Sequence, residues 1–168
     1  MREAEKKMWE RGTLAPECAR LRAAGKKIVF TNGCFDLMHA GHATYLEFAR
    51  RQGDVLVVGL NTDASVRRYK GEKRPIVDER NRARMMAALE CVDFVTWFNE
   101  DEPKELIAEL QPDVLVKAED WAHYVSGRDV VEARGGKVVL APMVAGLSTT
   151  KLIEKIVQAY GGGAPIKN

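Results

Sequence analysis

From Lys27 onward, short runs of β-branched and apolar residues alternate with longer segments whose apolar positions recur at helical spacing. The runs at residues 28–31, 55–60, 94–97, 114–117 and 137–141 read as five strands. Between the first two, Tyr45, Leu46, Phe48 and Ala49 mark a helix that starts near Gly41, with Gly53 expected as its left-handed cap. Further helices are predicted at 64–69, at 78–89, at 103–110 with a proline in the first turn, and at 129–134 stopping at Gly135-Gly136. The last helix, 149–160, follows Ser148 as its N-cap. Strands that alternate with helices in this way build a parallel sheet covered on both faces, so the fold class is α/β. Residues 1–26 read as an N-terminal helical appendage, broken near Gly12 and Pro16, that covers a sheet edge or joins a dimer. Residues 27–160 form the main domain and 161–168 a flexible tail.

A length of 168 residues is enough for one domain that buries most of its apolar surface. The 26 basic and 24 acidic side chains leave a net charge of +2, so no overall field favours nucleic acid and any anion must be caught locally. Cys18, Cys34 and Cys91 are odd in number and widely spaced, without the CxxC pairing of a zinc site or a disulfide framework, which points to the cytoplasm. The longest apolar run, 55–60, is far too short for a membrane span, and the charged start does not resemble a signal peptide.

The informative segment is TNGCFDLMHAGH, residues 31–42, which leaves the first strand and enters the first helix. Unpaired N–H groups and the helix dipole favour phosphate at such a start. His39 and His42 lie three apart at that start and can both donate to one polyphosphate, while Gly33 and Gly41 permit close backbone approach. For an arbitrary histidine pair the plainer reading is two surface or structurally satisfied side chains. Here two of the chain's three histidines share one strand end, two glycines and a helix start, which favours the phosphate reading. His123 sits in a different unit and supplies no third ligand for zinc.

A second helix start, Gly146-Leu147-Ser148-Thr149-Thr150-Lys151, follows the fifth strand. Ser148 as a plain N-cap stabilises by about 1 kcal/mol and needs no ligand, but three consecutive hydroxyls exceed what capping requires. In a doubly wound sheet the helix starts after strands one and five can face one crevice. The run 67–75 carries five cations in nine residues. Such a run is ordinarily a solvated surface; beside a triphosphate it would supply positive charge, with Lys70 next to Gly71 the preferred residue and Arg82 on the next helix the second.

The HxGH within TNGCFDLMHAGH and the STTK of GLSTTKLIEKI resemble the cytidylyltransferase-like nucleotidyltransferase superfamily. Across 26–157 the segments VGLNTDASVRRYKGEKRPI, ALECVDFV, QPDVLVK and GRDVVEARGGKVVL are similar to the D-glycero-β-D-manno-heptose 1-phosphate adenylyltransferases. The resemblance implies a Rossmann-like doubly wound five-stranded sheet and transfer of AMP from ATP to heptose 1-phosphate, giving ADP-heptose and pyrophosphate for the lipopolysaccharide core. It implies that His39, His42 and Lys70 are catalytic. It also implies that Thr31, Asn32, Gly33, Cys34, Phe35, Asp36, Gly41, Arg82, Lys117, Asp120, Gly146, Ser148 and Thr149 bind the nucleotide. Mg²⁺ is expected on the NTP phosphates rather than on protein side chains. The expected partners are ATP, a sugar phosphate and a second copy of the chain in a homodimer, with no nucleic acid and no membrane.

Ala118-Glu119 stand where these enzymes carry two glycines, and Glu119-Asp120-Trp121 leans toward the CTP-dependent glycerol 3-phosphate cytidylyltransferases. Against that, Met143-Val144 occupy the places of the Arg-Thr that those enzymes carry before their glycine. Three readings follow: adenylyl transfer to a sugar 1-phosphate by in-line displacement, cytidylyl transfer to a polyol phosphate, and a nucleotide sensor without catalysis. Cys34 is expected to pack rather than act as a nucleophile.

Overall fold

The computed structural model describes residues 3–144 and 146–161. Five parallel strands, β1 (Ile28–Gly33), β2 (Val55–Asn61), β3 (Phe94–Phe98), β4 (Val114–Ala118) and β5 (Lys137–Ala141), lie in the order β3-β2-β1-β4-β5. The chain steps outward from β1 to β3, then crosses back to place β4 on the other side of β1. The strand order therefore reverses between β1 and β4, and the crevice at their carboxyl ends is where such sheets bind ligands. This is the Rossmann-like arrangement expected, and each strand lies within two residues of its predicted bounds.

Alternation along the strands divides the core. Ile28, Phe30, Val55, Val57 and Leu115 face one side, packed by α1 (Arg11–Ala23), α5 (Lys104–Leu110) and α6 (Arg128–Glu132). Val29, Leu56, Val58, Val114 and Val116 face the other, packed by α2 (Ala40–Arg50) and α4 (Glu79–Ala88). Both faces of the central strands β1 and β2 are covered, which is why those strands read as unbroken apolar runs, while the edge strand β5 is largely uncovered. Two further helices, α3 (Asp63–Lys70) and α7 (Thr149–Tyr160), begin at strand ends on the ligand side.

At the opposite end, an aspartate precedes each of three strands and pins its neighbour. The carboxylates of Asp54, Asp113 and Asp93 accept from the backbone N–H groups of Lys27, Ile28 and Leu56, at 2.8, 2.7 and 2.8 Å. Each contact closes a donor that the ladder leaves open and helps fix the register that brings the strand ends level at the crevice.

The N-terminal residues are integral to the packing. Leu14 and Cys18 are fully buried among the strands of one face. Met8 bridges to Val95, Trp9 N–H donates to the Val95 carbonyl at 2.9 Å, and the Trp9 indole stands edge-on to Phe94. The segment thus covers the β3 edge, one of the two roles expected for it. The expected break near Gly12 and Pro16 does not occur. A 3₁₀ turn, Ala4–Lys7, gives way at Met8 to Glu10, and α1 runs unbroken through both residues. Pro16 lacks the N–H that would meet the Gly12 carbonyl, but Gly12 sits exposed at the helix start, where water can serve it. The reason for Gly53 also differs from expectation. α2 ends at Arg50 and Gly53 is not left-handed; a Cβ there would stand 2.7 Å from Val29 Cγ2 and 2.8 Å from the Lys27 carbonyl oxygen.

Among the described residues no helix is long and apolar enough to cross a membrane. The expected tail from residue 162 lies outside the described residues.

The two glycines give opposite predictions. Gly53→Ala must push against backbone and should destabilise by about 1 to 3 kcal/mol. Gly12→Ala meets nothing within 4 Å in a helix and should stabilise by roughly 0.5 kcal/mol. Urea denaturation of both variants checks the pair, and a loss of stability in Gly12→Ala would contradict the continuous helix.

Candidate active site

The loop leaving β1 and the loop leaving β5 meet over the strand-order reversal and enclose a cleft of about 360 Å³. Its walls include Asn32 to Asp36, His39, Gly41 and His42 from one side and Leu147 to Thr150 from the other, with Lys70, Lys117 and Asp120 between. The two helix starts are fastened together: the Thr149 hydroxyl donates to the Leu37 carbonyl at 3.4 Å. Ser148 caps α7, its hydroxyl accepting from Lys151 N–H at 3.1 Å. Gly146 is left-handed, with φ +81°, and acts in the turn rather than in the cleft wall.

His39 is the N-cap of α2 and its backbone is extended, so its ring folds back over the first turn. There it stacks on His42, with centroids 3.9 Å apart and planes 18° from parallel. A Cβ on Gly41 would lie 3.0 Å from the His39 ring, so this glycine makes room for the imidazole before it makes room for any ligand. Phe35, in the left-handed region at φ 45°, sets its ring edge-on to His42 at 5.4 Å. Strain at a bulky residue costs about 1 to 3 kcal/mol and persists only where surroundings impose it. Nδ1 of both histidines is buried without a hydrogen-bond partner. Burial pushes His39 below its ordinary pKa. Burial, then His39 and Lys70, pushes His42 down to about 4, so both rings are neutral at pH 7.

Beneath this pair lies Arg82, expected at the nucleotide phosphates. The structure does not bring it to the cleft. Only 1% exposed, it donates to the carbonyls of Val77, Cys34 and Asn61 and to the Asp63 carboxylate. Its donors are spent on backbone because the carbonyls at the ends of β1 and β2 point inward where the ladder stops. Thr31 is likewise internal: fully buried, it shares a 2.6 Å hydrogen bond with Tyr45, whose hydroxyl donates to the Val116 carbonyl at 3.0 Å.

Asp36 anchors the loop that follows α3. Its carboxylate accepts from Arg74 Nε at 2.6 Å and from the N–H groups of Ile76 and Val77. Burial pushes its pKa up, but these donations outweigh it and hold the carboxyl below its usual range. The run 67–75, expected as a basic loop, is partly helical. Arg67, Arg68 and Lys70 belong to α3, which ends at left-handed Gly71. Lys70 emerges at the cleft, 5.5 Å from the Tyr69 ring centroid. Cys34 is buried, as expected of a packing residue, with its thiol against the Tyr69 hydroxyl.

Lys117, at the end of β4, donates to Asn32 Oδ1 at 3.1 Å and lies 5.2 Å from the Trp121 ring. Glu119, two residues on, turns away from the cleft and accepts from Met143 N–H at 2.9 Å, bracing the loop after β5. Arg74, Tyr45, Trp121 and Pro142 to Val144 also line the cleft, although none of them was expected among the binding residues; Trp121 and Met143-Val144 entered only as marks of base preference and Arg74 only as part of the basic run. Tyr45 carried only a core signal, being one of the apolar positions of α2. Trp121 is 48% exposed, which alternation alone does not reveal.

The model of the cytidylyltransferase-like family matches residues 30–155, from β1 into α7. The chain is 54% identical over 160 residues to the bifunctional protein HldE of Citrifermentans bemidjiense, covering 95% of this chain and 33% of that protein. It is 60% identical over 141 residues to HldE of Geobacter metallireducens, covering 83% and 29%. The chain therefore spans about a third of the length of these relatives. Among solved structures, the lipopolysaccharide core biosynthesis protein of Thermoplasma volcanium superposes with a TM-score of 0.60 at 27% identity, over 71% of this chain and 98% of that one. Pantoate-beta-alanine ligase of Francisella tularensis, at 15% identity and a TM-score of 0.61 over 90% of this chain and 77% of that one, shares the fold. With the family match running from the strand that leads into the stacked histidines to the helix behind Ser148, the chain belongs to the cytidylyltransferase-like nucleotidyltransferases.

Proposed function

We propose that the chain transfers AMP from ATP to a sugar 1-phosphate, D-glycero-β-D-manno-heptose 1-phosphate, yielding ADP-heptose and pyrophosphate. The observation that carries the chemistry is the stacked, neutral His39–His42 pair, set in the wall of the cleft that the starts of α2 and α7 both face. The choice of acceptor rests on the resemblance of the motifs and on the relatives above.

A phosphate oxygen of the sugar phosphate attacks the α-phosphorus of ATP. The bond between that phosphorus and the bridging oxygen breaks, and its electron pair leaves with pyrophosphate. The nucleophile is already ionised at neutral pH, so no general base is needed. The protein's part is to position and to balance charge. His39 and His42 donate to oxygens at the reacting phosphorus, the N–H groups and hydroxyls of Ser148 and Thr149 hold the departing pyrophosphate, and Lys70 offsets developing charge. Mg²⁺ on the nucleotide would neutralise charge on the triphosphate. Of the carboxylates lining the cleft, Asp36 is spent on Arg74 and the loop N–H groups, so Asp120 is the one that would face such a metal.

An NTP by acceptor matrix read by pyrophosphate release tests the reading. The expected result is turnover with ATP and heptose 1-phosphate. Turnover confined to CTP with glycerol 3-phosphate, or ATP binding without turnover on any sugar phosphate, would overturn it. His42→Ala should lower kcat by about 10² to 10³ with a normal thermal melt, since one preorganised donor is lost. Ser148→Ala should lower stability by about 1 kcal/mol through the lost cap and also raise the KM for ATP, so melts and kinetics separate its two roles.

The low pKa of His42 makes a further prediction about stability. The folded chain refuses a proton that the unfolded chain accepts near pH 6.5, so the stabilising contribution is complete above that value and is lost as pH falls toward about 4. His42→Gln should flatten the acid limb of stability between those limits. Parallel acid limbs in wild type and variant would contradict the burial of a neutral imidazole.

A further inference from the structure

Two arginines stand at or beneath the cleft, and their donors are spent differently. Arg82, where the motif resemblance expects a phosphate contact, is buried and gives its donors to three carbonyls and the Asp63 carboxylate. Arg74 lies in the loop between α3 and α4 and lines the cleft, as Asp36 and Lys70 do. Among the described residues its guanidinium has one hydrogen-bond partner, Asp36 Oδ2, at 2.6 Å from Nε. The outer fork, Nη1 and Nη2, is unspent, and Nη2 is buried without a partner. A guanidinium is charged at any working pH, so donors held in a cleft wall without acceptors call for an anion.

Asp36 orients this group more than it satisfies it. The carboxylate is wholly enclosed, while 14% of the Arg74 side chain remains open. Asp36 Oδ1 accepts from the N–H groups of Ile76 and Val77, each at 2.9 Å, so only Oδ2 is turned to the arginine. A carboxylate fixed behind Nε sets the plane of the guanidinium and leaves its outer end free, where two N–H groups can meet an oxyanion together. We infer that Arg74, oriented by Asp36, is a phosphate-binding residue of the cleft and takes the role that the motif resemblance gives to Arg82. The inference rests on the transfer reaction proposed above, in which ATP and the acceptor both carry phosphate. The chemistry recognised is the phosphate oxyanion common to the two.

The plainer role for Arg74 is a counter-charge to a buried carboxylate, and the geometry separates the two roles. Because Oδ1 carries both loop N–H groups, an asparagine at position 36 can keep them through its own oxygen, with its NH₂ in the place of Oδ2. Asp36→Asn combined with Arg74→Met thus removes carboxylate and guanidinium together and leaves the loop anchored. A pair that served charge balance alone would lose nothing in this double variant beyond its own mutual attraction, and ligand affinity would stay at the wild-type value. A phosphate-binding arginine would be missed in the double variant as in the single one.

Calorimetry on the full chain with Mg²⁺ supplies two arms: titration of α,β-methylene-ATP, and titration of heptose 1-phosphate into the analogue complex. In Arg74→Met the Kd should rise about 10- to 100-fold in at least one arm, the ordinary weight of a charge-assisted contact. The arm that moves identifies the phosphate that is held. Arg74→Lys, which keeps the charge without the fork, should show a smaller rise of about 3- to 10-fold in the same arm. The double variant should melt close to wild type and bind as weakly as Arg74→Met. Should Arg74→Met alone fail to fold, the lysine and double variants carry the comparison. An unchanged Kd in both arms, or wild-type affinity in the double variant, overturns the inference. Neither arm needs turnover, so intact binding with no pyrophosphate released from any NTP and acceptor sinks the transfer reaction while the titrations still decide Arg74. A wild type that binds neither ligand ends both.

Discussion

The cleft depends on one buried guanidinium. Arg82 reaches from α4 to the carbonyls of Cys34 and Asn61, at the ends of β1 and β2, and to Val77 just before its own helix. Asp63, at the start of α3, balances its charge. Four chain segments that diverge in sequence are thus fixed relative to one another by a single planar group whose fork of donors matches four acceptors. Truncating one side of such a buried pair typically costs about 3 to 5 kcal/mol, because the remaining charge is left without a partner. The arrangement also explains why Phe35 can persist at φ 45°. The carbonyl immediately before it is held by Arg82, and its ring is held against His42, so the strain falls on a residue clamped at both ends.

This places Arg82 one layer beneath the chemistry, and it marks where reading the sequence reached its limit. A cation on a helix following a basic run looks the same from sequence whether it faces solvent, ligand or protein interior. Only the inward direction of the β1 and β2 terminal carbonyls decides the matter. The strands, by contrast, were legible almost to the residue, because burial on both faces leaves continuous apolar runs such as Val55 to Leu60 bounded by charge. The helix starts at His39 and Ser148 were legible for a similar reason, since the local demand for caps and small residues is written in adjacent positions. Gly53 shows the complementary failure. Its position just past a helix suggested a left-handed cap, but the demand came from Val29 and Lys27, which are distant in sequence. The aspartates before β2, β3 and β4 carried a visible pattern whose meaning, pinning the neighbouring strand, required knowledge of strand order.

The cleft is lined by groups kept short of their ordinary charge. His39 and His42 are held neutral by burial, and Lys117 sits near its titration midpoint at physiological pH and slightly above. Asp36, which would oppose an anionic ligand, is already neutralised by Arg74 and two N–H groups. The fold thus avoids burying uncompensated positive charge at the cleft.

The position of α7 fits the same logic. It contributes the second helix start but buries none of its residues, and Ile156, Val157 and Tyr160 are each at least half exposed. Its hydrogen-bonded hold on the body of the protein lies at its first turn, through the Thr149 contact to the Leu37 carbonyl, while Ser148 caps the helix itself. A helix anchored at one end has little packing energy to resist displacement. A polyanion accepting N–H groups from both helix starts would add a fastening at the one place where α7 is already fixed.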